Sequence, residues 1–251
     1  MDAAALILAT LGLLAAGIVK GATGVGYSSC ALPFLVPAIG LQTAMGLVIA
    51  PALASNVMLL FTVGHVRETV HRFWPLYVAT LPGIAAGIWV LMWIDPLVPT
   101  RLLGVLIVLY AVLAMLRPKF QLRRLAERML LLPVGFLNGV LTGLTGSQVM
   151  PLLPFLLALG LEADRFVQAN NIAVITASLF LALGLMTAGV MAPPTLAWSI
   201  AAVAPALVGV QLGNWSRRYI DAQHFRLLVL LLLMALGLSL ALRGMIRLGP
   251  T

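Results

Sequence analysis

An all-α, polytopic membrane protein made of two inverted-topology repeats is the fold class that three observations predict. First, the chain is 62% hydrophobic and only 9% charged, with a mean hydropathy of +1.11, whereas a soluble domain carries about 25% charged residues. Second, its apolar runs have the length of a bilayer-crossing helix, about 20 residues. They do not alternate apolar and polar residues as the strands of an outer-membrane barrel would. Third, a polar, glycine-bearing interruption occurs twice. It runs Lys20-Gly21-Ala22-Thr23-Gly24-Val25-Gly26-Tyr27-Ser28-Ser29 ahead of Pro33, and returns as Asn138-Gly139-Val140-Leu141-Thr142-Gly143-Leu144-Thr145-Gly146-Ser147-Gln148 ahead of Pro151 and Pro154.

Each interruption sits between apolar runs. Bare backbone groups in lipid cost several kcal/mol each, roughly, so a broken helix at membrane depth has to line a cavity or be buried in protein. Two such breaks, one per half, mark the place where a transporter binds its solute.

Taken in order, residues 3–19 form an apolar helix that should end at the Lys20–Gly26 break. Residues 27–40 are apolar but short, and Pro33 and Pro37 interrupt them, so the first two segments read as a helical hairpin or a broken helix. A run over 44–64 follows, then a polar loop at 65–72. Residues 73–94 cross next, with Trp74 and Trp93 near their ends as interfacial aromatics. Asp95-Pro96 and Pro99 turn the chain into a run over 101–116. Residues 117–128 hold five of the fifteen Lys and Arg and read as a solvated linker between halves 1–116 and 129–251. The second half repeats the plan: 129–146 up to the break, a short proline-bearing piece at 148–160, and crossings at 166–187, 195–214 and 225–244. Turns fall at 188–194 and 215–224. Matching details support the duplication: Phe34-Leu35 and Ile39-Gly40-Leu41 align with Phe155-Leu156 and Leu159-Gly160-Leu161, Pro82 with Pro205, and Arg101-Leu102-Leu103 with Arg226-Leu227-Leu228.

Charge sets the orientation. Loops 65–72, 117–128 and 215–224 carry the arginines and read as cytoplasmic, while 95–100 and 188–194 read as external. Run 44–64 then points inward and its counterpart 166–187 outward, which makes the repeats inverted. Only the tail, with Arg243 and Arg247, departs from the rule. The net charge of +8 therefore serves topology and lipid headgroups, not nucleic acid.

The same sequence excludes several activities. A single cysteine, Cys30, forms no intrachain disulfide and no cysteine-based metal site. His65, His71 and His224 share no ligand spacing. Gly21, Gly24 and Gly26 do not form a nucleotide fingerprint, and no Walker loop exists. All seven Asp and Glu lie in loops or at run ends, so a membrane-embedded enzyme lacks its acid–base pair. No cofactor is expected. The start of the chain lacks a basic signal-peptide region, so the first run is expected to be retained.

The remaining polar side chains at membrane depth are the candidate site. In the first half they are Lys20, Thr23, Ser28, Ser29 and Asn56, with Gly24 and Gly26 in the break. In the second they are Thr145, Gly146, Ser147 and Gln148, with Asn170 and Asn171 downstream. Half-helix N-termini there would offer N–H groups to an anion, with hydroxyls and amides as further donors. Asn138, Thr142 and Gln168 belong to the same set but serve equally well as bridges between helices. Lys20 has two readings: it neutralises an anionic solute, or its long stem snorkels to an interface. Gly83 with Gly87, and Gly209 with Gly213, have the spacing of helix-packing motifs.

The duplicated break followed by proline, an apolar run and Gly-Leu (Gly24, Gly26, Pro33, Gly40-Leu41; Gly143, Gly146, Pro151, Gly160-Leu161) resembles the sulfite exporter TauE/SafE family over nearly the whole length. The resemblance implies a multi-pass permease of a bacterial inner membrane. It would carry a small sulfur-containing or other organic anion by alternating access, among membrane lipids, as a monomer or a homo-oligomer. This chain departs from the family in having less glycine in its breaks, and in the polar Lys20 and Gln148. The rival readings are a passive anion channel and a transporter of a sulfur-free solute.

Overall fold

The computed structural model describes residues 3–24, 26–116, 121–216 and 222–243, and the side chains among them except 3–5 and 222–226. Parts of the charge argument rest on Arg117, Lys119, Arg217, Arg218 and Arg247, and on the side chains of His224 and Arg226, which lie outside the described residues. Among the described residues the chain is all helix with no strand: α1 (Ala3–Thr23), α2 (Tyr27–Ile39), α3 (Leu41–Val63), α4 (Val66–Leu91), α5 (Leu97–Leu116), α6 (Arg124–Thr145), α7 (Leu152–Ala158), α8 (Ala163–Thr187), α9 (Pro193–Ala201), α10 (Val203–Ser216) and α11 (Ala222–Ala241). Seven stretches are long and apolar enough to cross a membrane, with α9 and α10 counted as one. The protein is a multi-pass membrane protein.

Several boundaries differ from the sequence reading, each for a physical reason. Helix α1 does not stop at Lys20. It continues through Gly21 to Thr23, and Gly24 N–H closes the last turn on Lys20 O at 2.7 Å. Gly21 is packed, not broken: a Cβ there would run into the backbone of α10. Helix α2 likewise runs unbroken past Pro33 and Pro37, since prolines are tolerated in membrane helices where freed carbonyls find other partners. Arg243 instead caps the last carbonyls of α2, donating to Val36 O at 3.5 Å and Pro37 O at 3.3 Å. Of the polar stretch 65–72 only His65 lies outside a helix, next to Gly64, and its remainder forms the first turns of α4. The stretch over 195–214 divides at Ala202, three residues before Pro205.

The helices pack in pairs. Helix α4 lies along α6, α1 along α10, α5 along α11, and α3 along α8. The two spacing motifs in the glycines account for the first two pairs. Gly83 and Gly87 meet Gly139 and Gly143, while Gly209 and Gly213 meet Gly17 and the α1 backbone at Ile18 and Ala22. Backbones at these crossings are too close for any side chain, so small residues are required. Helices α3 and α8 are the most enclosed of the spans and form the middle of the bundle.

Polar ties gather at two opposite ends. At one, Arg72 grips the buried Glu127 with two bonds of 2.7 and 2.9 Å. At the same end Arg165 reaches Glu68 at 3.1 Å, and Leu122 N–H donates to Ala158 O at 2.8 Å. The last contact closes α6 and α7 into a hairpin whose two arms leave on the same side. At the other end Arg243 holds the end of α2, and Arg101 Nε donates to Arg243 O at 2.8 Å.

Candidate functional site

The two breaks meet inside the bundle. In the first, Gly24 and Gly26 adopt φ of 81° and 84°, a left-handed conformation that a side chain would strain. The reversal lets α2 restart at Tyr27 with no side-chain cap, so its first N–H groups lack helical partners. In the second, Gly146 ends α6 in the same conformation, with its N–H on Thr142 O at 2.8 Å. Two threonines then shape the chain: Thr142 Oγ1 donates to Ser147 O at 3.2 Å, and Ser147 N–H donates to Thr145 Oγ1 at 3.2 Å. Thr142 and Thr145 thus hold the turn. The hydroxyls of Ser29 and Ser147 come within 2.9 Å of each other, joining the tips of the two hairpins directly.

Beside that contact lies a small cavity lined by Lys20, Gly26, Tyr27, Ser28, Ser29, Asn56, Gln148, Val149, Leu153, Asn170 and Val174. Its open volume is about 10 Å³, which is about the room one water molecule needs. Seven of the residues singled out from sequence line it: Lys20, Gly26, Ser28, Ser29, Asn56, Gln148 and Asn170.

Lys20 does not snorkel. It is 2% exposed, and its Nζ donates to Asn56 Oδ1 at 2.6 Å. Asn56 is held in turn, its Nδ2 donating to Ala52 O one turn back at 2.7 Å. None of the ion pairs among the described residues involves Lys20. A buried ammonium without a carboxylate is costly, so such a group either sheds its proton or is joined by an anion. Gln148 is anchored on one side only: Nε2 donates to Ser178 Oγ at 3.0 Å, and Oε1 is buried without a partner. A hydroxyl donates as well as it accepts. Turning the Gln148 amide over would keep the Ser178 bond and present an N–H to the cavity. Tyr27 OH and Asn170 Nδ2 are also buried without protein partners. Such orphaned polar groups are rare in a protein interior and call for a ligand or water.

The other sequence-derived candidates sit off the cavity. Thr23 is exposed and bonds Val19 O in its own helix at 2.8 Å. Gly24, Gly146, Thr145 and Ser147 build the turns. Asn171 is fully buried with both amide atoms unpartnered, but it does not line the cavity. Gln168 bonds Leu60 O at 3.2 Å and bridges α8 to α3. Asn138 is buried with its Oδ1 unpartnered.

Two participants were missed by sequence reasoning. Tyr27 lies inside the first break, where a phenol at membrane depth needs a partner just as an amide does. Ser178 positions Gln148 from the middle of α8, and nothing in its apolar surroundings distinguishes it in sequence.

No curated protein and no solved structure matches the chain. A family model described as sulfite exporter TauE/SafE matches residues 8–240.

Proposed function

The chain belongs to the sulfite exporter TauE/SafE family, a family of membrane transporters of sulfur anions and not of enzymes, and on that premise we propose that the cavity between the two breaks is its substrate site. The observation that carries this reading is Lys20, a buried cation without a carboxylate, facing unpartnered groups from α2, α8 and the second break. An anion entering there would satisfy Lys20, Tyr27 OH and Asn170 Nδ2 together, with Ser28, Ser29 and Gln148 within the same wall. Charge-assisted hydrogen bonds of this kind are about twice as strong as neutral ones.

The substrate is a small sulfur-containing anion, sulfite or a sulfonate, and the host membrane is a bacterial inner membrane. Transport proceeds by alternating access. Support comes from the pairing of helices: α4 with α6 and α1 with α10 exchange places if the first half is swapped for the second, and α3 with α8 and α5 with α11 map onto themselves. Such an exchange is what two repeats related by a two-fold axis give, and together with the charge-based orientation it supports inverted repeats over 1–116 and 129–251. The site's closeness to both hairpin tips means that moving one tip against the other opens it to one side. A cavity with room for about one water favours a carrier in a closed state over a standing pore.

Reconstitution in proteoliposomes tests the proposal. Saturable sulfite flux is expected, and Lys20→Met, which keeps the stem and removes the charge, should lower it by about ten- to a hundredfold, the worth of a hydrogen bond to a charged group. Gln148→Ala should lower flux too, with both variants still monodisperse. Wild-type flux in a monodisperse Lys20→Met protein would place the substrate elsewhere.

A further inference from the structure

Two buried states are open to the Lys20 amine, and the cavity furnishes partners for both. Protonated, it is an ammonium that is 2% exposed and bonded to a neutral oxygen, Asn56 Oδ1 at 2.6 Å. Such a charge needs an anion beside it. Neutral, the amine still donates to Asn56 and gains a lone pair. Tyr27 OH and Asn170 Nδ2 line the same cavity as buried donors without acceptors. They can serve that lone pair directly or through the one water for which the cavity has room. When an anion enters, the same two donors turn to its oxygens.

Other candidates for a mobile proton are few among the described residues. Of the helices packed on α1, α2 brings Tyr27 and Cys30, the latter near enough to Lys20 for their charges to interact. A phenolate or thiolate there would repel an incoming anion. Neither α10 nor the described side chains of α11 include a titratable group, and Arg217 and Arg218 beyond α10 lie outside the described residues. Helix α3, which holds Asn56, has none. Helix α8 carries Asp164 and Arg165 only in its first turn, more than a turn from Asn170. Glu68, Glu127 and Glu162 are paired with arginines at one end of the bundle.

Resting on the reading of this cavity as the substrate site, we infer that Lys20 is also the proton carrier. It takes up a proton when a singly charged anion enters and gives it up when the anion leaves, so that anion and proton cross together. On one side of the membrane a neutral amine, a proton from water and the anion become an ammonium–anion pair. On the other side the pair separates into the same three. Neither the loaded nor the empty cavity then holds a net formal charge, which spares the protein the cost of an uncompensated ion in a desolvated space. The cycle moves solute and proton without moving net charge.

Methanesulfonate is the probe, because the anion of a strong acid brings no proton of its own. The full chain is reconstituted in proteoliposomes that enclose a pH-sensitive dye, with the membrane potential set by potassium and valinomycin and with protein-free vesicles as the baseline. Adding methanesulfonate outside should acidify the interior by a proton for every anion, at a rate that the potential does not change. Cys30→Ala and Tyr27→Phe should keep that ratio, whatever they do to the rate. Any flux that Lys20→Arg retains should carry negative charge and no proton, since a guanidinium does not give its proton up. Lys20-dependent flux that follows the potential and brings no proton overturns the inference and leaves the cavity a substrate site. Lys20→Arg flux that still brings a proton does the same, as does loss of the proton in Cys30→Ala or Tyr27→Phe, since either places the carrier elsewhere. Lys20-dependent flux of sulfite but not of methanesulfonate also overturns the inference alone, because a fixed monoanion is required to bring a proton. Flux of neither anion, or flux that Lys20→Met leaves unchanged, overturns the site and the inference together. The proton ratio of the wild-type protein stands even if Lys20→Arg does not fold.

Discussion

Asn56 decides whether Lys20 is available to a ligand. Its Oδ1 takes one ammonium proton at 2.6 Å and its Nδ2 is tied to Ala52 O, so the amide holds the cation in place without neutralising it. Asn56→Asp would put a carboxylate where the neutral oxygen now sits. The expected outcome is a protein more stable by about 1–3 kcal/mol in the absence of anions, because a buried cation gains a charged partner, and one whose stability no longer responds to sulfite. Parallel denaturant and ligand-shift measurements on the two proteins check this, and an unaltered sulfite response in Asn56→Asp would disconnect Asn56 from the site. The polar set containing Lys20 and Asn56 was legible in sequence because charged and amide groups have no place in lipid. Their partnership was not. The residues are 36 positions apart, and only the packing of α1 and of α3 against α2 brings them together. The same limit hid Ser178, while Tyr27 was overlooked because its ring reads as apolar.

At the scale of single elements, prolines and glycines set where helices end, bend or touch. Pro51 in α3 cannot donate to Leu47 O, the carbonyl one turn earlier. Ser199 of α9 supplies the missing bond: its Oγ donates to Leu47 O at 3.0 Å and accepts from Ala50 N–H at 3.1 Å. The short helix α9 is thereby pinned to α3, and Thr195 and Met191 pack on Gly46 nearby. Ser199→Ala should cost about 1–3 kcal/mol, the penalty for a buried backbone group left unpaired. Ser199→Thr, which keeps the hydroxyl, serves as the control, and chemical denaturation of both reads the difference. A loss below a few tenths of a kcal/mol would mean that Leu47 O finds another donor. The positions of the long helices follow from hydropathy, so the sequence located all of them. Their ends were less legible. Gly21 and Gly139 look like breakers in a string of residues, yet both are contact points where another backbone needs the space. Pro33 and Pro37 look like terminators, yet α2 passes through them.

For the whole molecule, the glycine crossings imply which parts travel together. Helix α1 is locked to α10 through Gly17, Gly21, Gly209 and Gly213, and α6 to α4 through Gly139, Gly143, Gly83 and Gly87. Each hairpin tip is thus carried by a helix of the other half. Which helices pair could not be read from the chain, since hydropathy says that a helix is buried but not against what. The four-residue glycine spacing was the one hint, and it did not name the partners. Between the two units the hairpin tips touch directly at the Ser29 and Ser147 hydroxyls, 2.9 Å apart. If transport alternates access to the cavity, that contact has to part in each cycle. Cysteines at both positions, in a Cys30→Ala background that leaves no other thiol, would tie the tips at the short range a disulfide requires. Oxidation should then abolish sulfite flux in proteoliposomes and a reductant should restore it, while each single cysteine variant stays insensitive to both. Undiminished flux through fully cross-linked protein would mean that the two tips move as one body. The opening would then have to come from α3 and α8 sliding past them, with Ser29 and Ser147 serving only to brace the site.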